Sequence, residues 1–240
     1  MSHSPAERAA ARQTLQGLLA DLRAHLTYLR EEGVATLPAS EALTLVQLAA
    51  AIARCKRCSL HRTRTQTVPG QGSPRPDILF VGEAPGADED AQGLAFVGRA
   101  GQLLTKMIAA MGYRRDEIFI ANILKCRPPE NRPPLPDEMQ TCLPYLKAQI
   151  ALLKPKVIVA LGATAIRGLL NLDRGITKLR GQWFAFEGIP LMPTYHPAYL
   201  LRNEAAKPET WADLQDVLRR LGRTPPPRAK SRGASADPAP

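Results

Sequence analysis

The sequence predicts an α/β protein whose parallel sheet carries helices on both faces. From residue 76 onward, short apolar runs alternate with amphipathic segments in the order strand, helix, strand, helix, strand. Parallel strands need a crossover connection, usually a helix, and this alternation therefore favours a parallel sheet. The composition agrees, because 240 residues with 45% hydrophobic and 22% charged side chains are typical of a globular protein.

Residues 1–50 precede this pattern and predict a helical extension. Apolar residues at helical spacing indicate one long helix over residues 5–32. A second helix is predicted to start at the N-cap Ser40 and to place Cys55 and Cys58 just past its end.

Residues 51–222 are predicted to form the main domain. Three apolar runs indicate buried strands, at residues 77–82, 118–123 and 156–161. Amphipathic segments predict helices, at residues 99–112, 137–153 and 163–170. Two short strands and a closing helix follow, at residues 182–187, 189–194 and 211–221. Residues 223–240 contain too few apolar groups to fold, and they predict a disordered basic tail.

The chain carries a net charge of +10, most of which lies in the predicted domain. Residues 1–50 contribute −1, residues 51–222 contribute +8 and residues 223–240 contribute +3. Such an excess suggests a polyanionic partner. No apolar run reaches the roughly 18–20 residues of a membrane helix, and residues 1–16 lack the apolar stretch of a secretory signal. We therefore expect a soluble, monomeric protein of the cytoplasm without a membrane partner.

The chain has four cysteines: Cys55, Cys58, Cys126 and Cys142. Disulfides are rare inside cells, which raises the question of a shared metal centre. Three uses stay open at this point. The cysteines could be small buried side chains, they could bind zinc, which usually takes two short-spaced pairs, or they could bind a [4Fe–4S] cluster. Spacing alone does not separate these uses.

Ligands of open α/β sheets bind at the carboxyl ends of the strands, and three polar segments lie there. They span residues 82–90, 122–129 and 195–202. The glycines of the first segment, Gly82 and Gly86, match neither a P-loop nor the dinucleotide fingerprint G-x-G-x-x-G. We therefore expect a cleft where the three segments converge, and no nucleotide cofactor.

Four side chains near this cleft are candidates for chemistry, and most have a structural alternative. Glu83 directly follows a buried strand. His196 could point its ring into the cleft, although a single histidine is more often structural. Asn122 ends an apolar strand, where it must find partners or brace a loop. Phe96 lies between glycines in a loop and could stack on a base. The acidic run at residues 88–90 is more typical of a helix cap or a solvated surface than of a metal site.

The assembled motifs closely resemble those of the iron–sulfur (family 4) uracil-DNA glycosylases. They occur in the family's order over roughly residues 51–221. The matching residues are the Cys55/Cys58 pair, Gly82-Glu-Ala-Pro-Gly86 with Glu89-Asp90, Phe96-Val-Gly98 with Ala100-Gly-Gln-Leu-Leu104, Asn122 with Lys125-Cys-Arg-Pro-Pro129, Cys142, and His196-Pro-Ala-Tyr-Leu-Leu-Arg202. A related group that bonds covalently to uracil carries Gln in place of Ala84 and a basic insert with a reactive histidine, and the chain has neither.

The resemblance implies a three-layer α/β/α fold with a central, mostly parallel four-stranded sheet. It also implies an enzyme that flips uracil out of single- or double-stranded DNA and hydrolyses its N-glycosidic bond, leaving an abasic site for base excision repair. The four cysteines would hold a structural [4Fe–4S] cluster. The alternative is a catalytically silent iron–sulfur protein that binds DNA or assists a polymerase, but such a protein would need none of Glu83, Asn122 and His196.

The resemblance further implies roles for single residues. His196 would stabilise the oxyanion at uracil O2, and Glu83 would position the attacking water and oppose the positive charge of the sugar. Asn122 would pair with the uracil edge while Phe96 stacks on the ring. Glu89 would lie beside C5 and exclude the methyl group of thymine. The remaining predicted substrate-binding residues are Gly82, Ala84 and Arg202.

Overall fold

The computed structural model describes residues 44–226. The strands are β1 (Gln71–Gly72), β2 (Ile78–Gly82), β3 (Phe119–Asn122), β4 (Val157–Leu161), β5 (Phe184–Phe186) and β6 (Ile189–Thr194). The α-helices are α1 (Leu45–Ala53), α2 (Ala87–Gln92), α3 (Arg99–Ala110), α4 (Pro136–Leu153), α5 (Ala163–Leu170), α6 (Ile176–Leu179), α7 (Pro197–Arg202) and α8 (Lys207–Arg220). Short 3₁₀ segments occur at Ser59–Arg62, Pro129–Asn131 and Glu204–Ala206. The helix predicted over residues 5–32 lies outside the described residues.

One mixed sheet organises this part of the chain, with the strand order β1-β3-β2-β4-β6-β5. The central strands β3, β2, β4 and β6 are parallel, and the edge strands β1 and β5 are antiparallel to their neighbours. The predicted central parallel sheet of four strands is therefore confirmed. Strand β1 has only two residues, too few to produce a hydrophobic period in the sequence. Strands β2 and β4 are buried along their whole length, which explains their uninterrupted apolar sequences.

Alternate residues of the sheet face two separate cores, as a three-layer fold requires. On β2, Leu79 and Val81 pack into the core that includes side chains of α4 and α5. Ile78 and Phe80 pack into the second core, with side chains of α3 and α8. The predicted α/β/α arrangement is confirmed.

Two helices begin at different residues from those predicted. Helix α1 begins at Leu45, because Thr44 and Gln47 form a capping box in which each side chain accepts the other's backbone N–H. The predicted start at Ser40 is therefore wrong. Helix α8 begins at Lys207, four residues before the predicted start, with a proline in its first turn.

Arg223, which the composition assigns to the tail, packs on the domain. Its backbone N–H donates to the Leu218 carbonyl, and its guanidinium lies 4.1 Å from the ring centre of Tyr113. The remainder of the predicted tail, residues 227–240, lies outside the described residues. None of the helices within residues 44–226 combines the length and the apolarity needed to cross a membrane.

Candidate active site

Gly82 and Asn122 lie side by side at the carboxyl ends of β2 and β3, because the parallel register pairs them directly. Gly82 is needed here, since a Cβ at this position would lie 2.4 Å from Asn122 Oδ1 and 2.5 Å from Phe96 Cζ. The missing side chain thus lets a strand end, an amide and an aromatic ring approach each other closely.

A cavity of about 550 Å³ opens above this point, and we call it the active-site cavity. Its volume suits a nucleobase with part of its sugar, since ligand pockets span roughly 300–1,000 Å³. The structure brings nearly all the predicted catalytic and substrate-binding residues together in its lining: Glu83, Ala84, Glu89, Phe96, Asn122, His196 and Arg202. Gly82 lies beneath them, as described above. The three polar segments therefore do converge.

Asn122 is buried with its side-chain oxygen unpaired. Only 1% of the residue is exposed, and its Oδ1 atom has no hydrogen-bond partner within residues 44–226. Its backbone carbonyl is paired, because it accepts from Lys125 Nζ at 2.9 Å. Leaving a buried acceptor without a donor costs about 1–3 kcal/mol. A ligand with an N–H group facing Oδ1 would remove that cost.

His196 caps the N-terminus of α7 with its own ring. Its Nδ1 atom accepts the backbone N–H of Ala198 at 3.1 Å, so a neutral ring carries its proton on Nε2. Loss of water around the ring, together with the cation of Arg202, lowers the pKa of His196 to about 4, although Glu89 opposes the shift. At neutral pH the ring is therefore an uncharged donor at Nε2. Its centre lies 5.6 Å from that of Phe96.

Glu89 holds the loop that carries Phe96. Its carboxylate accepts the backbone N–H groups of Gly86 at 3.0 Å, Val97 at 2.9 Å and Gly98 at 3.0 Å. Glu89 thus has the capping role expected of the acidic run, and both of its carboxylate oxygens are hydrogen-bonded in this role. Phe96 is 6% exposed and adopts a φ of 53°, so it is a fixed part of the cavity wall. The adjacent Asp90 is also buried and accepts from the backbone N–H of Thr65.

Two other charged side chains face the cavity without a partner among residues 44–226. Glu83 is half-buried, and its carboxylate makes no hydrogen bond or ion pair within these residues. Arg202, in the last turn of α7, is exposed, and its guanidinium also makes no hydrogen bond or ion pair within these residues. Both groups are therefore free to meet a bound molecule or water.

The sequence did not single out Arg132 and Asn131, which also line the active-site cavity. Arg132 is fixed by Glu138, a residue only 1% exposed, through an ion pair of 2.6 Å. The basic, proline-rich loop at residues 127–134 was visible in the sequence. Whether this loop reaches the active-site cavity depends on the length and direction of β3 and α4. Residue spacing in the sequence reveals neither.

The four cysteines line a second, smaller cavity, which we call the cysteine cavity. Cys55 and Cys58 follow α1, Cys126 follows β3, and Cys142 lies in α4. Donors face the sulfur atoms: Arg64 Nη1 lies 3.1 Å from Cys126 Sγ, and the Lys125 backbone N lies 3.3 Å from Cys142 Sγ. Positive and donor groups around several sulfurs suit anionic thiolates bound to metal. Within residues 44–226 no three His, Cys, Asp or Glu side chains are arranged to hold a single metal ion.

The thiols differ in their electrostatic surroundings. Burial raises the pKa of Cys142 to about 11, although the cation of Lys125 opposes this. Burial also acts to raise the pKa of Cys55, but hydrogen bonds from Tyr145 and Arg57 lower it overall. A deprotonated Cys142 therefore needs a further positive charge in the cysteine cavity, which a bound metal centre would supply.

Comparison with known proteins identifies the family. The family model described as "Uracil DNA glycosylase superfamily" matches residues 69–215. A type-4 uracil-DNA glycosylase of Archaeoglobus fulgidus is 40% identical over 183 residues, which cover 73% of this chain and 92% of the relative. The type-4 enzyme of Thermotoga maritima is 47% identical over 64% of this chain and 81% of the relative. That of Sulfurisphaera tokodaii is 44% identical over 71% of this chain and 81% of the relative. The chain belongs to the uracil DNA glycosylase superfamily and, within it, to the type-4 uracil-DNA glycosylases.

Proposed function

We propose that this chain excises uracil from DNA by hydrolysing the bond between the base and its sugar, leaving an abasic site for base excision repair. The observation that carries this proposal is the unpaired carboxamide oxygen of Asn122, buried in the active-site cavity beside Phe96. A base inside a duplex cannot reach such a cavity, so the nucleotide would have to be flipped out of the stack.

Asn122 would read the edge of the flipped base. Its Oδ1 atom can accept from N3–H of uracil, and its Nδ2 group can donate to O4. Cytosine presents a donor at position 4 and an acceptor at N3, so both contacts would be mismatched. Phe96 would stack on the ring, a contact that contributes roughly 1–3 kcal/mol per base and does not distinguish between bases. Specificity would therefore rest on the amide, and part of the affinity on the aromatic ring.

His196 and Glu83 would stabilise the two charges that develop as the bond breaks. The departing uracil becomes negative, and the neutral His196 ring can donate from Nε2 to its O2 atom. The sugar becomes positive, and the unpaired Glu83 carboxylate can oppose that charge and orient the attacking water. The chemistry needs no proton transfer from His196, in keeping with its low pKa.

The substrate would also be held by contacts between basic side chains and its phosphates. Residues 51–222 carry a net charge of +8, and Arg202 and Arg132 lie in the cavity lining. Contacts of this kind depend on salt and not on sequence. We expect Ala84 and Gly82 to contribute through their small size, which leaves room for the base.

The four cysteines would hold a [4Fe–4S] cluster. Four thiolates are the usual ligand set of such a cluster, and the donors around Cys126 and Cys142 are those that its negative charge would favour. The bound cluster would stabilise the fold by joining α1, the segment after β3 and α4. A monomeric state and a cytoplasmic location stay predictions.

The activity can be tested with oligonucleotides that carry one uracil, as single strands and as duplexes. After incubation with the protein, hot alkali should break the strand at the uracil position. Absence of breaks on both substrates would refute the proposal. A catalytically silent DNA-binding protein would instead show salt-sensitive binding with no base release, so a binding measurement on the same oligonucleotides separates the two functions.

A further inference from the structure

The peptide group between Phe96 and Val97 is held at both ends by charged side chains. The Phe96 carbonyl accepts from Arg115 Nη2 at 3.0 Å, and the Val97 N–H donates to Glu89 Oε1 at 2.9 Å. The neighbouring groups repeat the pattern. Arg115 Nη2 also donates to the Ala95 carbonyl, and the Gly98 N–H donates to the same oxygen of Glu89. Two carbonyls thus face a cation and two amides face an anion.

This clamp holds a backbone conformation that Phe96 would not adopt by preference. Its φ of 53° lies in the left-handed region, where a residue with a side chain is strained. Rotation about the N–Cα bond of Phe96 would relieve the strain, and it would change the angle between the Ala95–Phe96 and Phe96–Val97 peptides and move the ring. The loop also packs tightly against α3, because a Cβ on Gly101 would lie only 1.9 Å from the Phe96 carbonyl oxygen. The ring position is therefore determined by the backbone around it.

Arg115 donates its hydrogen bonds to this loop and to the helix on which the loop packs. It lies in the turn after α3, half-buried, and makes no ion pair within residues 44–226. Its Nη1 atom donates to Thr105 Oγ1 at 3.1 Å, and that hydroxyl donates to the Gly101 carbonyl at 3.0 Å. A buried arginine usually pairs with a carboxylate, whereas this one directs its donors to carbonyl and hydroxyl oxygens.

We infer that Arg115 is a positioning residue for base recognition. It holds the carbonyls of the peptides on both sides of Phe96 while Glu89 accepts the Val97 N–H, and it thereby keeps the Phe96 ring against the active-site cavity. This inference rests on the proposed stacking of Phe96 on the flipped uracil. Arg115 itself lies outside the lining of the active-site cavity.

The test compares Arg115→Gln with a matched neighbour, Arg114→Gln, in steady-state uracil excision from a single-stranded oligonucleotide. The side chain of Arg114 is 72% exposed, and within residues 44–226 it pairs with Asp116 and Glu117 alone, so its replacement should leave kcat/KM unchanged. Arg115→Gln should lower kcat/KM by about tenfold, within the roughly 5- to 150-fold that the loss of one base–aromatic stack represents.

A double-mutant cycle separates positioning from a general loss of structure. If Arg115 acts through the ring, Arg115→Gln should cost less than about twofold when it is added to Phe96→Ala, because residues that act as a unit are not additive. Arg115→Lys keeps the charge but cannot reach both carbonyls, and it should give a smaller loss in the wild-type background and none in the Phe96→Ala background. This milder variant serves if the glutamine variant fails to fold.

Each possible result of this test either supports or overturns the role of Arg115. Full activity of Arg115→Gln, or a loss that multiplies with that of Phe96→Ala, would overturn the role of Arg115 while leaving the proposed function intact. Absence of uracil release by the wild type and by Arg114→Gln would overturn the proposed function, and the role of Arg115 with it.

Discussion

The active-site cavity and the cysteine cavity draw lining residues from the same segment, residues 122–128, yet the hydrogen-bond acceptors in the two cavities differ in whether they have a partner. In the active-site cavity the Asn122 oxygen and the carboxylate of Glu83 are unpaired within residues 44–226. In the cysteine cavity the sulfurs of Cys126 and Cys142 already accept hydrogen bonds. The first arrangement suits a ligand that binds and leaves, and the second suits one that stays.

Lys125 connects the two cavities. It is 1% exposed, and its Nζ atom donates to the Asn122 carbonyl at 2.9 Å and to Gln149 Oε1 at 2.7 Å. Its own backbone N–H faces Cys142. Because one buried residue contacts both regions, a central question is whether each region can be disturbed without the other.

The largest effect is expected from Asn122→Asp. A carboxylate can accept from N3–H but cannot donate to O4, so kcat/KM for uracil excision should fall on the order of 10⁴-fold. On cytosine the N4 amine can donate to the new acceptor, so cytosine release should be measured alongside. Asn171→Asp, at an exposed helix end, is the matched control. Wild-type uracil activity in Asn122→Asp would refute the assigned role.

Replacement of a cysteine should act on stability first. Cys142→Ser is expected to remove visible colour and bound iron, and to lower Tm by roughly 10 °C, the shift that a loss of about 3–5 kcal/mol produces in a domain of this size. Thr141→Ser, which alters a neighbour in the lining of the same cavity, should retain colour and Tm. A colourless wild-type protein containing zinc would contradict the cluster assignment.

The third prediction concerns a buried ion pair whose residues line neither cavity, and its loss should lower stability alone. Asp213, which is 2% exposed, accepts from Arg180 at 2.5 Å and from Thr194 Oγ1 at 2.7 Å. Arg180→Met leaves this carboxylate buried without its cation and should lower the free energy of unfolding by about 3–5 kcal/mol. Arg167→Met breaks the exposed pair with Asp173 and should cost at most about 1 kcal/mol. Equal losses in denaturant unfolding would show that burial does not govern these pairs.

The smallest expected effect is that of pH on His196. Its lowered pKa of about 4 means that the neutral ring predominates above that value, so acidification through pH 6.5 should not protonate it. The single-turnover rate of uracil release should therefore show no histidine titration between pH 8 and pH 5, and should decline only toward pH 4. A midpoint near pH 6.5 that disappears in His196→Gln would contradict a neutral donor.

Sequence alone predicted the central fold because its strands are buried on both faces. The runs that became β2 and β4 are continuously apolar, and that of β3 is apolar up to Asn122. Polar segments follow β2, β3 and β6 at the edge where ligands bind. The cleft residues Glu83, Asn122 and His196 were found for this reason. Strand β1 was missed because two residues form no pattern, and the start of α1 was misplaced because Thr44 and Gln47 form a capping box that begins the helix at Leu45.

The residues that hold the cavity wall in place were harder to predict from the sequence than the residues that line the cavity. Glu89 was recognised from the family motif, but the structure uses its carboxylate to hold backbone N–H groups around Phe96. Arg115 contacts backbone carbonyls, and any residue type can supply a carbonyl. Such a contact leaves no signature at the partner position, so only the fold reveals it.

The most direct test of the account is the identity of the base that the wild-type protein releases. Three single-stranded oligonucleotides that differ only in carrying uracil, cytosine or thymine at one position are incubated with the protein, and the free bases are separated and identified by mass. We predict free uracil from the first substrate and no base from the other two. Release of no base at all, or of cytosine or thymine at a rate comparable to uracil, would contradict the claim that this cavity recognises and excises uracil.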